Sequence, residues 1–119
     1  MSKVLSPVLR EPAPGMVMFW CPGCDMVHQI RVAPGETGPT WGYNGNAEAP
    51  TFTPSILVRG SVRLTDEEVA RVMGGEKIEP QPLVCHTFVT DGRIQFLGDC
   101  THALAGQTVP MVGFPEWWD

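Results

Sequence analysis

At 119 residues and a formal charge of −5, the chain has room for one domain and lacks the basic excess that a nucleic-acid backbone would require. Thirteen glycines and twelve prolines, with charged residues at only 18%, exclude a long-helix architecture and predict short strands joined by many turns. The N-terminal stretch has no apolar run long enough for a signal peptide or membrane span, so the expected compartment is the cytoplasm, where thiols stay reduced.

In chain order, residues 1–15 carry Pro7, Pro12 and Pro14 and are expected as an extended arm, with an edge strand at Lys3 to Leu9. Residues 16–113 form the expected single domain. Its first feature is Met16 to Val32, read as strand, tight turn, strand. Met16 to Trp20 is a continuous apolar run, and Val27 to Val32 alternates, with His28, Ile30 and Val32 on one face. Between them lies Cys21-Pro22-Gly23-Cys24, the spacing that supplies half of a tetrahedral zinc site. A thioredoxin-like redox pair is the alternative for this motif. Such a pair opens a helix, whereas the residues that follow here read as strand. Ala33-Pro34-Gly35 is expected to end the second strand.

Trp41-Gly42-Tyr43 enters a turn at Asn44-Gly45-Asn46, with Thr51-Phe52-Thr53 leaving it and Ile56 to Val58 as a short core strand. Residues 64–75 are the one expected helix, inserted between strands. Thr65 is its N-cap, Glu68 completes a capping box, Val69, Val72 and Met73 form an apolar stripe, and Gly74-Gly75 stop it. Leu83 to Gly98 is the clearest hairpin, turning at Asp91-Gly92. With that turn, Val89 faces Ile94 and Thr87 faces Phe96. Cys85, Thr87, Val89, Ile94 and Phe96 share one face, and His86, Phe88, Gln95 and Leu97 share the other. A short helical turn ending at Gly106, a last strand at Thr108 to Val112, and an aromatic tail over 114–119 complete the chain. The tail is expected to fold back over the core.

A structural zinc needs four nitrogen or sulfur ligands, and Cys21 and Cys24 are two of them. Cys85, His86, Cys100 and His102 are the candidates for the rest, with His28 a distant fifth. The hairpin brings both candidate clusters to one end. The facing argument favours Cys85 with Cys100.

The stretches F-W-C-P-G-C-x-x-x-H, W-G-Y-N-G-N-x-E-x-P-T-F-T-P-S and C-H-T-F-V-T-D-G-R-I-Q-F-L-G-D-C-T-H-A-L-A-G-Q-T-V resemble a family of small bacteriophage and prophage proteins. Its members carry a domain of unknown function and are sometimes labelled ammonia monooxygenases. The resemblance covers roughly residues 16 to 112, and the helix at 64–75 looks like an insert within it. Asp25 departs from the glycine usual at that place, though Asp tolerates left-handed geometry. The resemblance implies Cys21, Cys24, His86 and His102 as ligands, in disagreement with the facing argument.

These observations predict a mostly β fold: a small antiparallel sheet with a zinc-knuckle hairpin and one inserted helix. The leading functional expectation is a non-enzymatic, zinc-stabilised phage-type accessory protein in the host cytoplasm, binding a host or phage protein. Trp41, Tyr43, Trp117 and Trp118 are its candidate contacts, and a homodimer is worth testing. The alternative is a zinc hydrolase with an open coordination position. There Asp99 or Glu48 would be the general base, and Thr101, Asn44 or Gln107 would position the substrate. A zinc-ribbon nucleic-acid binder is disfavoured by the acidic balance. Monooxygenase chemistry is unsupported, since the chain lacks both a multi-metal carboxylate array and membrane spans.

Overall fold

The computed structural model describes residues 3–33, 39–62 and 64–118. Within them the chain is mostly β, arranged as two antiparallel sheets and one helix. The first sheet has the order β1-β2-β3-β4, formed by Lys3–Val4, Arg10–Glu11, Met16–Cys21 and Met26–Arg31. The second has the order β5-β6-β7-β8-β9, formed by Gly42–Tyr43, Phe52–Ser61, Pro82–Thr90, Arg93–Phe96 and Thr108–Pro110. Their inner faces meet over Phe19, Phe52, Ile56, Cys85, Val89, Ile94 and Phe96, all essentially inaccessible to water. An isolated bridge from Trp20 to Val112 ties β3 to the segment that follows β9.

The apolar run of β3 is continuous because both its faces are covered. Val17, Phe19 and Cys21 point into the core, and Trp20 on the opposite face is closed over by Trp117 and Trp118, with ring centroids 5.8 and 6.1 Å away. The aromatic tail therefore folds back. The N-terminal segment, expected as an extended arm, also folds back: β1 pairs with β2, β2 pairs with β3 at Arg10 and Met18, and Leu9 is fully buried. Pro34 and Gly35, expected to end the knuckle's second strand, lie outside the described residues.

Helix α1 (Asp66–Met73) has the expected reciprocal capping box between Thr65 and Glu68. None of its residues is buried, so it is a surface element held by local hydrogen bonds rather than by core packing. The β7–β8 hairpin keeps the expected register, with Val89 opposite Ile94 and Thr87 opposite Phe96. Asp91 and Gly92 both adopt positive φ, as a type I′ turn demands.

Strand β6 contains an irregularity that matters below. Phe52 stands opposite Val89 and Ile56 opposite Thr87, so four residue steps on β6 match two on β7. The surplus at Thr53, Pro54 and Ser55 bulges out of the ladder. The Thr53–Pro54 peptide is cis.

Candidate metal centre and catalytic relay

Strand alternation allows only one of the neighbours Cys85 and His86 to face the core, and the observed burial pattern of β7 selects Cys85. Its thiol joins Cys21, Cys24 and His102, and the four ligand atoms all lie within 4.8 Å of one another. The Cys21 and Cys85 sulfurs are 3.8 Å apart, far beyond disulfide length, and all four cysteines are free. That separation is what two ligands of a tetrahedral ion show at metal–sulfur distances of about 2.3 Å. The Nε2 of His102 is buried with no hydrogen-bond partner, and its Nδ1 accepts from the Leu104 N–H at 3.2 Å. This cluster could hold a metal ion.

Local hydrogen bonds fix the knuckle beside the cluster. The Cys24 N–H donates to the Cys21 sulfur at 3.4 Å, and the Asp25 N–H closes the turn onto the Cys21 carbonyl at 2.8 Å. Asp25 adopts φ 56°, so its left-handed conformation is accommodated without glycine. Gly23 is different: a Cβ there would overlap the His102 imidazole. Gly23→Ala is therefore expected to displace His102 and weaken metal retention by about 10-fold or more, the scale of loss when a ligand's surroundings are disturbed. Competition against a graded chelator series measures that loss.

Electrostatics make the same point. Hydrogen bonds from the Cys24 and then the Cys85 thiol hold the Cys21 thiol far below its ordinary range, with a smaller contribution from His28. The cost falls on its neighbours. Cys24 is pushed up to about 12, chiefly by its hydrogen bond to Cys21, and Cys85 is pushed up further for the same reason. Three thiols this close cannot all ionise unless a cation offsets the charge. A cavity of about 350 Å³ borders the cluster at Cys24, His102, Leu83 and Thr101. With four protein ligands available, the cluster needs no ligand from that cavity.

His86 and Cys100, both weighed as ligands, stand outside the cluster. The cluster contains Cys85, which the facing argument favours, and His102, which the resemblance implies. Cys100 is buried, but its sulfur is engaged with the backbone of His86: the His86 N–H donates to it at 3.3 Å, and the thiol lies 3.3 Å from the His86 carbonyl. Leu97 and Thr101 add backbone bonds to His86 and Val84 at 2.9 Å each. Residues 97–101 are thus stitched along β7, and Asp99 sits in the middle of the seam.

On the outer face of the same strand, His86 bridges two side chains. Its Nε2 is 2.9 Å from the Ser55 hydroxyl and its Nδ1 is 3.1 Å from an Asp99 carboxylate oxygen. An ionised carboxylate can only accept, so the Nδ1 carries the proton and Nε2 is left to accept from the serine. Extending the register of Ile56 and Thr87 back by one row would set Ser55 opposite Phe88, diagonal to His86. The bulge at 53–55 is what frees it to reach the imidazole. Trp41 holds the Ser55 backbone from the other side, its indole N–H donating to the Ser55 carbonyl at 3.2 Å.

Asp99, weighed with Glu48 as a general base beside a metal, here meets the Nδ1 of His86 at 3.1 Å. Ser55 was not singled out in the sequence, because no glycine-flanked nucleophile motif surrounds it. The informative signal was the Cys85-His86 adjacency, which forces one of the two away from the metal. Of the four aromatic contact candidates, Trp41 and Tyr43 pack against the core, Trp118 lies against Trp20, and only Trp117 is largely exposed, at 71%. His28 is buried edge-on against Phe19, outside the cluster.

Fold and site together define a class: a small two-sheet β protein with a cysteine–histidine cluster that could bind a metal on one side of a strand, and a hydrogen-bonded serine, histidine and aspartate on the other. The sequence profile of the family described as bacterial ubiquitination-like system serine protease (BubE) matches residues 2–97, and the chain belongs to that family. Ser55, His86, Cys21, Cys24 and Cys85 fall inside the matched span, and Asp99 and His102 follow it. No curated protein and no solved structure matches the chain. The match places it in a bacterial domain family and lends nothing to a phage or ammonia-monooxygenase label. Among the described residues, no helix is long and apolar enough to cross a membrane.

Proposed function

We propose that this protein is a serine protease whose nucleophile is Ser55, with His86 as general base and acid and Asp99 as the residue that orients it. The observation that carries the proposal is the continuous hydrogen-bonded line from the Ser55 hydroxyl through both ring nitrogens of His86 to Asp99, at 2.9 and 3.1 Å. These distances suit proton transfer, and the roles are those of a serine–histidine–aspartate triad in a chain order of its own. The family description supports the same chemistry.

In the proposed reaction Ser55 Oγ attacks the carbonyl carbon of a peptide or related acyl bond while its proton passes to His86 Nε2. Asp99 holds the Nδ1–H and stabilises the imidazolium. Collapse of the tetrahedral intermediate breaks the bond to the leaving amine, which takes the proton from Nε2. Water, deprotonated by the same nitrogen, then attacks the acyl-serine and restores the free hydroxyl.

We assign zinc to the cluster because three thiolates and one imidazole are a donor set that zinc favours in closed structural sites. Cys21, Cys24, Cys85 and His102 would hold it, and its contribution would be to folding, with no coordination position left for substrate. The zinc-hydrolase alternative, which requires an open position, is less well supported than the serine relay.

Treatment with a biotinylated fluorophosphonate, followed by peptide mass mapping, tests the assignment. Ser55 should carry the label, and His86→Ala should remove it while leaving the metal in place. Failure of the folded, metal-loaded protein to be labelled at Ser55 would refute the proposal.

A further inference from the structure

Strand β6 runs between β5 and β7, and among the described residues its pairing on the β5 side stops short of the proposed nucleophile. Among the described residues, β5 pairs with β6 only at Gly42–Thr53 and Tyr43–Phe52, so nothing pairs with β6 on that side from Ser55 to Ser61. Helix α1 follows β6 and buries none of its own residues.

Hydrogen-bond directions show which backbone groups the edge presents. The Val62 N–H bonds to the Gln81 carbonyl at 2.8 Å, one row beyond the Ser61–Pro82 pair. In an antiparallel ladder, hydrogen-bonded rows alternate. Val58 and Gly60 therefore turn their N–H and C=O groups toward β7, and Leu57, Arg59 and Ser61 turn theirs away. The Ser55 carbonyl, met by the Trp41 indole from the far side, has the same outward sense. The β7 side agrees, because the His86 and Val84 backbones bond to residues 97–101 rather than to β6.

Leu57 also stands directly opposite His86 on the outer sheet face and is 45% exposed. A chain laid along this edge would find a row of outward donors and acceptors, an apolar side chain beside the catalytic imidazole, and the Ser55 hydroxyl at the end of the row. We infer that the Ser55–Ser61 edge of β6 is the substrate-binding site, and that it takes an extended polypeptide segment as an added strand through the outward backbone groups of Leu57, Arg59 and Ser61. The inference rests on Ser55 being the nucleophile and adds the substrate class: an unfolded or tail-like segment, since only an extended chain can add to a sheet edge. The seven residues of this edge span about 20 Å, enough for about six substrate residues.

The geometry permits a selective test. Proline at 57 or 59 removes only an outward N–H and leaves the ladder to β7 unbroken, the condition under which an edge strand accepts proline. Two peptidyl diphenylphosphonates serve as probes, one with a single residue and one a six-residue mixture randomised beyond the reactive position. In the wild type, extension to six residues should accelerate labelling of Ser55 by about 10-fold or more, the equivalent of one or two net hydrogen bonds. In Leu57→Pro and Arg59→Pro that ratio should fall toward one. Tm and metal content identify the variant that retains the fold.

No acceleration in the wild type, or an acceleration kept in the proline variants, overturns the inference while leaving Ser55 as nucleophile. Failure of every phosphonate to label Ser55 overturns the nucleophile itself. A dimer in sedimentation that Leu57→Pro converts to monomer would assign the edge to a second copy of the chain and also overturn the inference.

Discussion

Replacing Ser55 by alanine is expected to lower kcat by about 10⁴-fold or more, because no other group can supply the attacking oxygen once the hydroxyl is gone. The substitution removes one half-buried oxygen from a bulge, so metal content should be unchanged and Tm should move by no more than a few degrees. Asp99→Asn should cost less, about 10- to 100-fold, because a carboxylate that is 55% exposed shares its orienting task with water. Steady-state kinetics on a fluorogenic peptide or ester checks both. An active Ser55→Ala protein would remove Ser55 from the mechanism.

The second large effect lies on the other side of the strand. A structural zinc site is worth about 10–16 kcal/mol of apparent binding free energy. A domain of this size has a net stability of about 5–15 kcal/mol. Loss of the ion is therefore expected to exceed the margin and unfold the chain. Cys21→Ala, Cys85→Ala and His102→Ala should each yield protein without stoichiometric metal, with lost near-ultraviolet circular dichroism and no cooperative melt. His86→Ala and Cys100→Ser should retain one ion per chain. Elemental analysis of the five variants separates the two groups, and metal loss in His86→Ala or Cys100→Ser would overturn the ligand assignment.

Local signals made much of the fold legible. The Asp91-Gly92 turn set the register of β7 and β8, and Thr65 with Glu68 marked the helix start. Cys21-Pro22-Gly23-Cys24 marked the knuckle between β3 and β4. Each depends on residues close together in the chain, where backbone preference and hydrogen bonding act directly. The residues of the cysteine–histidine cluster were legible only as a set. Choosing among Cys85, His86, Cys100 and His102 required knowing that the turns after β8 set Cys100 against the His86 backbone and His102 beside Gly23. The relay was hidden for a similar reason. Ser55 meets His86 because β6 spends extra residues at 53–55, and the Thr-Pro-Ser triplet has no periodicity from which that bulge could be counted.

The adjacency of Cys85 and His86 has a consequence for how this chain can vary. A shift of one residue in β7 would exchange their faces, burying the imidazole and presenting a thiol to Ser55. A single-residue insertion or deletion within residues 83–86 should therefore abolish metal retention and turnover together, whereas His86→Ala should abolish turnover and leave metal retention intact. A scan of short insertions and deletions, read for both properties, would show the losses coinciding at odd lengths, as a shared reading frame of side-chain direction requires.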